Sequence, residues 1–170
     1  MGLSIGPQNW WISTPDGIDG LAISCPVATT LPDDSRIICK SGGVAWIVAP
    51  EYTQVSSNWG NVTACGCIDN NPVGESDHGD ITSINFPVLY NQLISCGFNP
   101  SDWFVPSISQ LVNPGYVCRT NWDSFSLCHY WSSTECTNAT AWCFNYAEGF
   151  GWVLSKGTVK CVRAFRCVTY

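Results

Sequence analysis

The sequence predicts an α+β domain with two short helices and an antiparallel C-terminal meander, stapled by disulfides. Three observations carry this. Apolar residues make up 45% of the 170-residue chain, enough for a sizeable core. Charged residues are only 12%, while Gly, Pro, Ser, Thr and Asn are plentiful, which favours short strands and ordered loops over helix bundles. Eleven cysteines exceed ordinary usage.

Taken in order, residues 1–38 read as an N-terminal arm or docking hairpin. "PDGIDG" and "LPDDS" are turn signals, and "LAISCPVA" between them suits one short strand. Trp10 and Trp11 in this arm are candidates for plugging into the domain or docking on a neighbour. Residues 39–170 form the domain. "GVAWIVAP" is an apolar run ended by Pro, the pattern of a buried strand. "ITSINFPVLYNQLISCG" is the best helix, with Ser83 or Asn85 as cap, Pro87 in the first turn and Gly97 as stop. Val88, Tyr90, Leu93 and Ile94 give it a partly apolar face. "PSISQLV" is a shorter helix capped by Ser107. "AWCFNYA", "GWVLSK" and "TVKCVRAFRCV" read as three strands, with turns at Glu148-Gly149 and Lys156-Gly157.

The cysteines favour disulfides over metal. The only close pair, Cys65-Gly-Cys67, is one residue too tight for a zinc knuckle, and an odd count leaves a thiol over. Disulfides imply an oxidising destination. Yet "MGLSIGPQNWWISTPDG" lacks the basic and apolar regions of a signal peptide. A protein released by lysis reconciles the two, and so does a signal trimmed from the chain. The net charge is −6 and no stretch clusters Lys or Arg, so no nucleic-acid partner is expected. No run of about 18 apolar residues predicts membrane insertion.

Several motifs carry chemistry or scaffolding. In "HYWSSTE", Tyr130 and Trp131 supply large rings to a core, and the hydroxyls suit backbone groups at a bend. His129 is next to these residues, but strand neighbours point to opposite faces and no G-x-S-x-G elbow is present, so no catalytic residue is assigned. In "VRAFR", alternation along one strand sends Arg163 and Arg166 to opposite faces, one of them suited to pair with a carboxylate such as Asp102. "ESDHGD" places Glu75, Asp77 and Asp80 around His78; oxygen-rich loops can hold calcium, but EF-hand spacing is missing and a solvated loop is expected, with no cofactor or metal. Asn61 and Asn138 fit the N-glycosylation rule by chance occurrence. Phe144, Tyr146, Phe150 and Trp152 surround a hairpin whose alternation feeds one face to the core and the other to a partner.

"GVAWIVAPEYTQVSSNWG", "DWFVPSISQL", "YWSSTE", "AWCFNY" and "VRAFR" occur in that order. The set resembles the Lcl C-terminal domain, related to the Fibrobacter major paralogous domain, over about residues 40 to 168. The resemblance implies a C-type-lectin-like fold, of the kind found on phage tail fibres and bacterial surface proteins, in which Asp102, Trp103, Tyr130, Trp131, Arg163 and Arg166 are structural. It implies ligand contact by Asn138, Tyr146, Phe150 and Trp152. Two features depart from the pattern: Gln110 stands where the family carries an acidic residue, and the cysteine load is unusual. Sugar-selecting E-P-N or Q-P-D tripeptides are absent, and the copper-binding cysteines of formylglycine-generating enzymes have no clear counterpart. The expectation is therefore a non-enzymatic virion protein, at a tail fibre or its tip. It would contact other virion proteins through the arm, bind a host-surface glycan or protein, and work as an oligomer in the assembly. Capsid decoration or a baseplate clamp is one alternative, and an enzyme of the formylglycine-generating type is another.

Overall fold

Gly42 and Gly43 set the first hairpin. Their φ values of 58° and 76° are what a tight two-residue turn of type I′ demands, and glycine adopts them without steric cost. They join β1 (Arg36–Ser41) to β2 (Val44–Val48), with Ser41 opposite Val44. The structure, a computed structural model, describes residues 15–60 and 79–170. The further strands are β3 (Val55–Ser57), β4 (Gly79–Asp80), β5 (Phe104–Val105), β6 (His129–Glu135), β7 (Thr140–Asn145), β8 (Phe150–Ser155), β9 (Lys160–Val162) and β10 (Phe165–Thr169). They build two five-stranded sheets, ordered β1-β2-β10-β5-β4 and β3-β9-β6-β7-β8. The helices are α1 (Pro15–Ser24), α2 (Pro87–Ser95) and the single turn α3 (Ile108–Gln110). The fold class is α+β, mostly sheet with a few short helices.

The meander holds for β6, β7 and β8, each antiparallel to the next. "TVKCVRAFRCV" is not one strand. It divides at Arg163 and Ala164: β9 lies antiparallel to β3 and parallel to β6, whereas β10 runs between β2 and β5 of the other sheet. At the crossing, Ala49 replaces a ladder partner. Its N–H donates to Ala164 O at 3.0 Å and its carbonyl accepts from Arg163 Nε at 2.8 Å. Alternation cannot reveal such a switch, because both halves keep the strand period.

The amino-terminal reading is corrected too. "LAIS" ends a helix, not a strand. The helix sits on the first sheet because Lys40 Nζ donates to Ile23 O and Cys25 O (2.5 and 2.6 Å) at the negative end of its dipole. Asp19 also pairs with Arg166. Ile37 and Ile38 are fully buried in β1, so a boundary at residue 38 falls inside a core strand. Trp10 and Trp11 lie outside the described residues.

Pro87 does open α2 and Gly97, at φ 85°, ends it. The cap differs: Phe86 takes the left-handed position, and Thr82 Oγ1 accepts from the N–H groups of Ile84 and Asn85 in the turn before it. The buried face is Leu89 and Leu93, spaced i, i+4, with Val88 and Ile94 outside. Ser107 caps α3 as expected. Gln110 completes a capping box by accepting from Ser107 N at 2.9 Å, a neutral side chain doing what an acidic one would do there.

Two apolar clusters fill the interior. One joins Ile37, Ile47, Leu89, Trp131 and Val162. The other gathers Ile38, Val48, Trp122, Tyr130, Tyr146 and Phe165. Among the described residues one disulfide is present, Cys128–Cys161, and seven cysteines are free. Cys65 and Cys67 lie outside the described residues.

Candidate functional site

Among the described residues β8 is an edge strand, and its residues Phe150 and Trp152 point to the same side. Both are open to solvent, at 47% and 42% exposure. Their ring centroids are 5.4 Å apart with planes 37° from parallel, so they form one tilted apolar surface. Among the described residues Trp152 is the exposed tryptophan, while Trp59, Trp103, Trp122 and Trp131 are buried. The hairpin that presents it turns at Gly149, whose φ is 81° and whose missing Cβ leaves room for Tyr116 Oη. His129 of β6 stands beside the platform, 6.5 Å from the Trp152 ring. Asn145 Nδ2 donates to Glu148 Oε2 at 2.9 Å and fixes that carboxylate at the platform's end.

The imidazole of His129 is held below its ordinary value, first by partial burial and then by the charge of Lys160, with Glu148 opposing. Its neutral form is favoured in the folded state. Stability linked to it is therefore full above the ordinary value near 6.5 and is lost as pH falls from there through the folded value. An NMR titration is expected to give His129 a midpoint below about 6.5, rising when Lys160 becomes Gln. A midpoint above 6.5 would contradict the geometry.

Two sequence-predicted contacts lie elsewhere. Tyr146 is only 2% exposed; its hydroxyl donates to Leu111 O at 3.3 Å and its ring meets Trp122, Tyr130 and Phe144. A ring committed on all sides to the core cannot meet a ligand. Asn138 is exposed in the turn between β6 and β7. That turn adjoins Thr140, which pairs with Ser155, whereas Phe150 pairs with Asn145 at the opposite end of the ladder.

"YWSSTE" behaves as a bend packed by aromatics. Tyr130 Oη donates to Gln54 Oε1 at 2.8 Å, and Trp131 Nε1 donates to Ser57 O at 3.2 Å. Ser132 Oγ donates to Trp142 O at 2.7 Å, and Thr134 Oγ1 accepts from Ile108 N at 3.0 Å. Every one of these hydroxyls serves scaffolding. The thiols whose values are displaced, Cys118, Cys143 and Cys167, are all pushed up by burial, to about 11 for the first two, the opposite of what a nucleophile needs.

The arginines find other partners than Asp102. Arg163, 2% exposed, donates to Ala49 O, to Ser124 O and to Asp123 Oδ1 (2.6 Å for the last). Arg166 pairs with Asp19. Asp102 accepts from Asn99 Nδ2 at 3.4 Å instead. The three residues Asp102, Trp103 and Arg166 nevertheless line one cleft of about 590 Å³, with Asp33, Asp34 and Tyr52 on its rim. Sequence reasoning missed Lys156. It is fully buried, 3.2 Å from Glu135 Oε2 and 4.3 Å from the Trp59 ring centre. A lysine beside a turn glycine ordinarily reads as solvated, so no signal marked it.

Among the described residues no group of three or more His, Cys, Asp or Glu side chains could hold a metal ion. Asp80 is exposed in β4; Glu75, Asp77 and His78 lie outside the described residues. Also among them, no helix is long and apolar enough to cross a membrane. The chain matches no family model and no curated protein.

Proposed function

We propose that the protein is a non-enzymatic, C-type-lectin-like binding domain of a virion surface structure, a phage tail fibre or its tip. In this reading it holds a host-surface glycan or protein on the Phe150–Trp152 platform. The observation that carries the reading is that exposed ring pair on an edge strand. Two tilted rings offer an apolar face to the C–H side of a sugar, and Glu148 and His129 supply polar atoms at its border. Few interface residues carry most binding energy, and large aromatics lead among them. The open edge of β8, with Val153 exposed, also favours the second reading, a capsid decoration or baseplate protein clamping a neighbour by strand addition.

The test is an array of bacterial surface polysaccharides together with adsorption to bacterial cells. Trp152→Ala and Phe150→Ala are each expected to weaken binding by roughly tenfold or more, with unchanged unfolding. Hundreds of copies per particle and no affinity for cells would favour the clamp. A monomer that ignores both cells and virions would remove both readings.

A further inference from the structure

Sulfur stands at each end of residues 119–127. At one end Cys128 is joined to Cys161 of β9, in the second sheet. At the other, Cys118 lies near Cys39 of β1, in the first sheet; burial first, and then the neighbouring Cys39 thiol, push its own up to about 11. The backbone makes this approach durable. Asn121 Nδ2 donates to Ile38 O at 2.9 Å, and Arg36 Nε donates to Asn121 O at 2.6 Å. These bonds lay the turn that follows Cys118 along β1, which is the edge of its sheet. A bulge between Ile37 and Cys39 lets both Ile38 and Cys39 pack on the cluster around Trp122. Another sulfur on this row is Cys167. It is opposite Trp46 on the far side of β2 from Cys39. Two strand spacings separate them by roughly 10 Å, beyond the Cα separation of about 7 Å that a disulfide spans.

We propose that Cys39 and Cys118 are a second disulfide site, closed by exchange with an oxidising small-molecule disulfide such as oxidised glutathione. The Cys39 thiol gives up its proton and attacks the oxidant's S–S bond, forming a mixed disulfide and releasing one glutathione thiolate. The other protein thiol displaces the second glutathione. Two protein S–H bonds and one glutathione S–S bond are lost; one protein S–S bond and two glutathione S–H bonds form. The protein is oxidised by two electrons and the glutathione is reduced by the same two. Closure anchors residues 119–127 covalently to both sheets, and with them Trp122 and Asp123. The site is independent of what the β8 platform binds.

The full chain is purified with reductant, equilibrated in a glutathione redox buffer, and its remaining thiols are blocked with iodoacetamide. Non-reducing peptide mapping is expected to show a Cys39–Cys118 cross-link beside Cys128–Cys161. The oxidised chain is expected to melt roughly 5 to 15 °C above the reduced one, and Cys39→Ser to lose a large part of that gap. The wild-type map decides the matter without the variant. Alkylation of both Cys39 and Cys118 in the oxidised chain, or the joining of either to another cysteine, overturns the proposal.

Discussion

Arg163→Ala is expected to lower unfolding stability by about 3–5 kcal/mol, read as a shifted midpoint in urea with unchanged slope. The guanidinium is buried and divides its donors among Ala49 O, Ser124 O and Asp123. Removing it strands two carbonyls without donors, each costing about 1–3 kcal/mol when buried. Asp123, whose side chain is 29% exposed, regains water and moderates the loss. Arg163→Lys should recover less than half of the stability. One ammonium on a flexible stem restores the charge beside Asp123 but cannot serve three acceptors in a fork. A loss under about 1 kcal/mol for Arg163→Ala would show that the crossing between sheets holds without it.

Trp122→Ala is expected to cost about 3–5 kcal/mol in the same assay. The indole is 5% exposed and its ring meets Phe125, Tyr130, Tyr146 and Phe165 at centroid distances of 5.3–6.1 Å. A cavity among rigid rings collapses poorly, which keeps the cost high. Its Nε1 is buried with no acceptor among the described residues, so Trp122→Phe sacrifices volume but no hydrogen bond and should cost only about 1–2 kcal/mol. Arg163 lies over the same indole, 5.2 Å from its centre. The double variant should therefore lose less than the sum of the singles, since each single already spoils their contact.

Local signals were legible where one residue type has one physical use. Pro87 opening α2, Gly97 ending it, Ser107 capping α3 and the turn at Gly149 all follow from backbone preference alone. The burial of Tyr130 and Trp131 was legible for a similar reason: their hydroxyl-rich surroundings match a packed bend better than a reacting centre. What escaped depends on contacts between distant segments. "LAIS" became helical because Lys40 and Arg166 reach it from other elements. The division of the final strand depends on Ala49, more than a hundred residues earlier. Of the expected contact residues, Phe150 and Trp152 share a face because of their spacing. Tyr146 kept the same parity argument but lies beyond the end of β7, where the chain turns its ring inward.

The place of β10 bears on how the molecule is made. That strand follows every other described strand in chain order, yet it sits in the middle of its sheet, between β2 and β5. Until it leaves the ribosome, the nascent chain carries β2 with one edge unpaired and Ala45, Ile47 and Val48 uncovered. Local hairpins can form during synthesis, but this half of the molecule closes only afterwards, through contacts of long sequence separation.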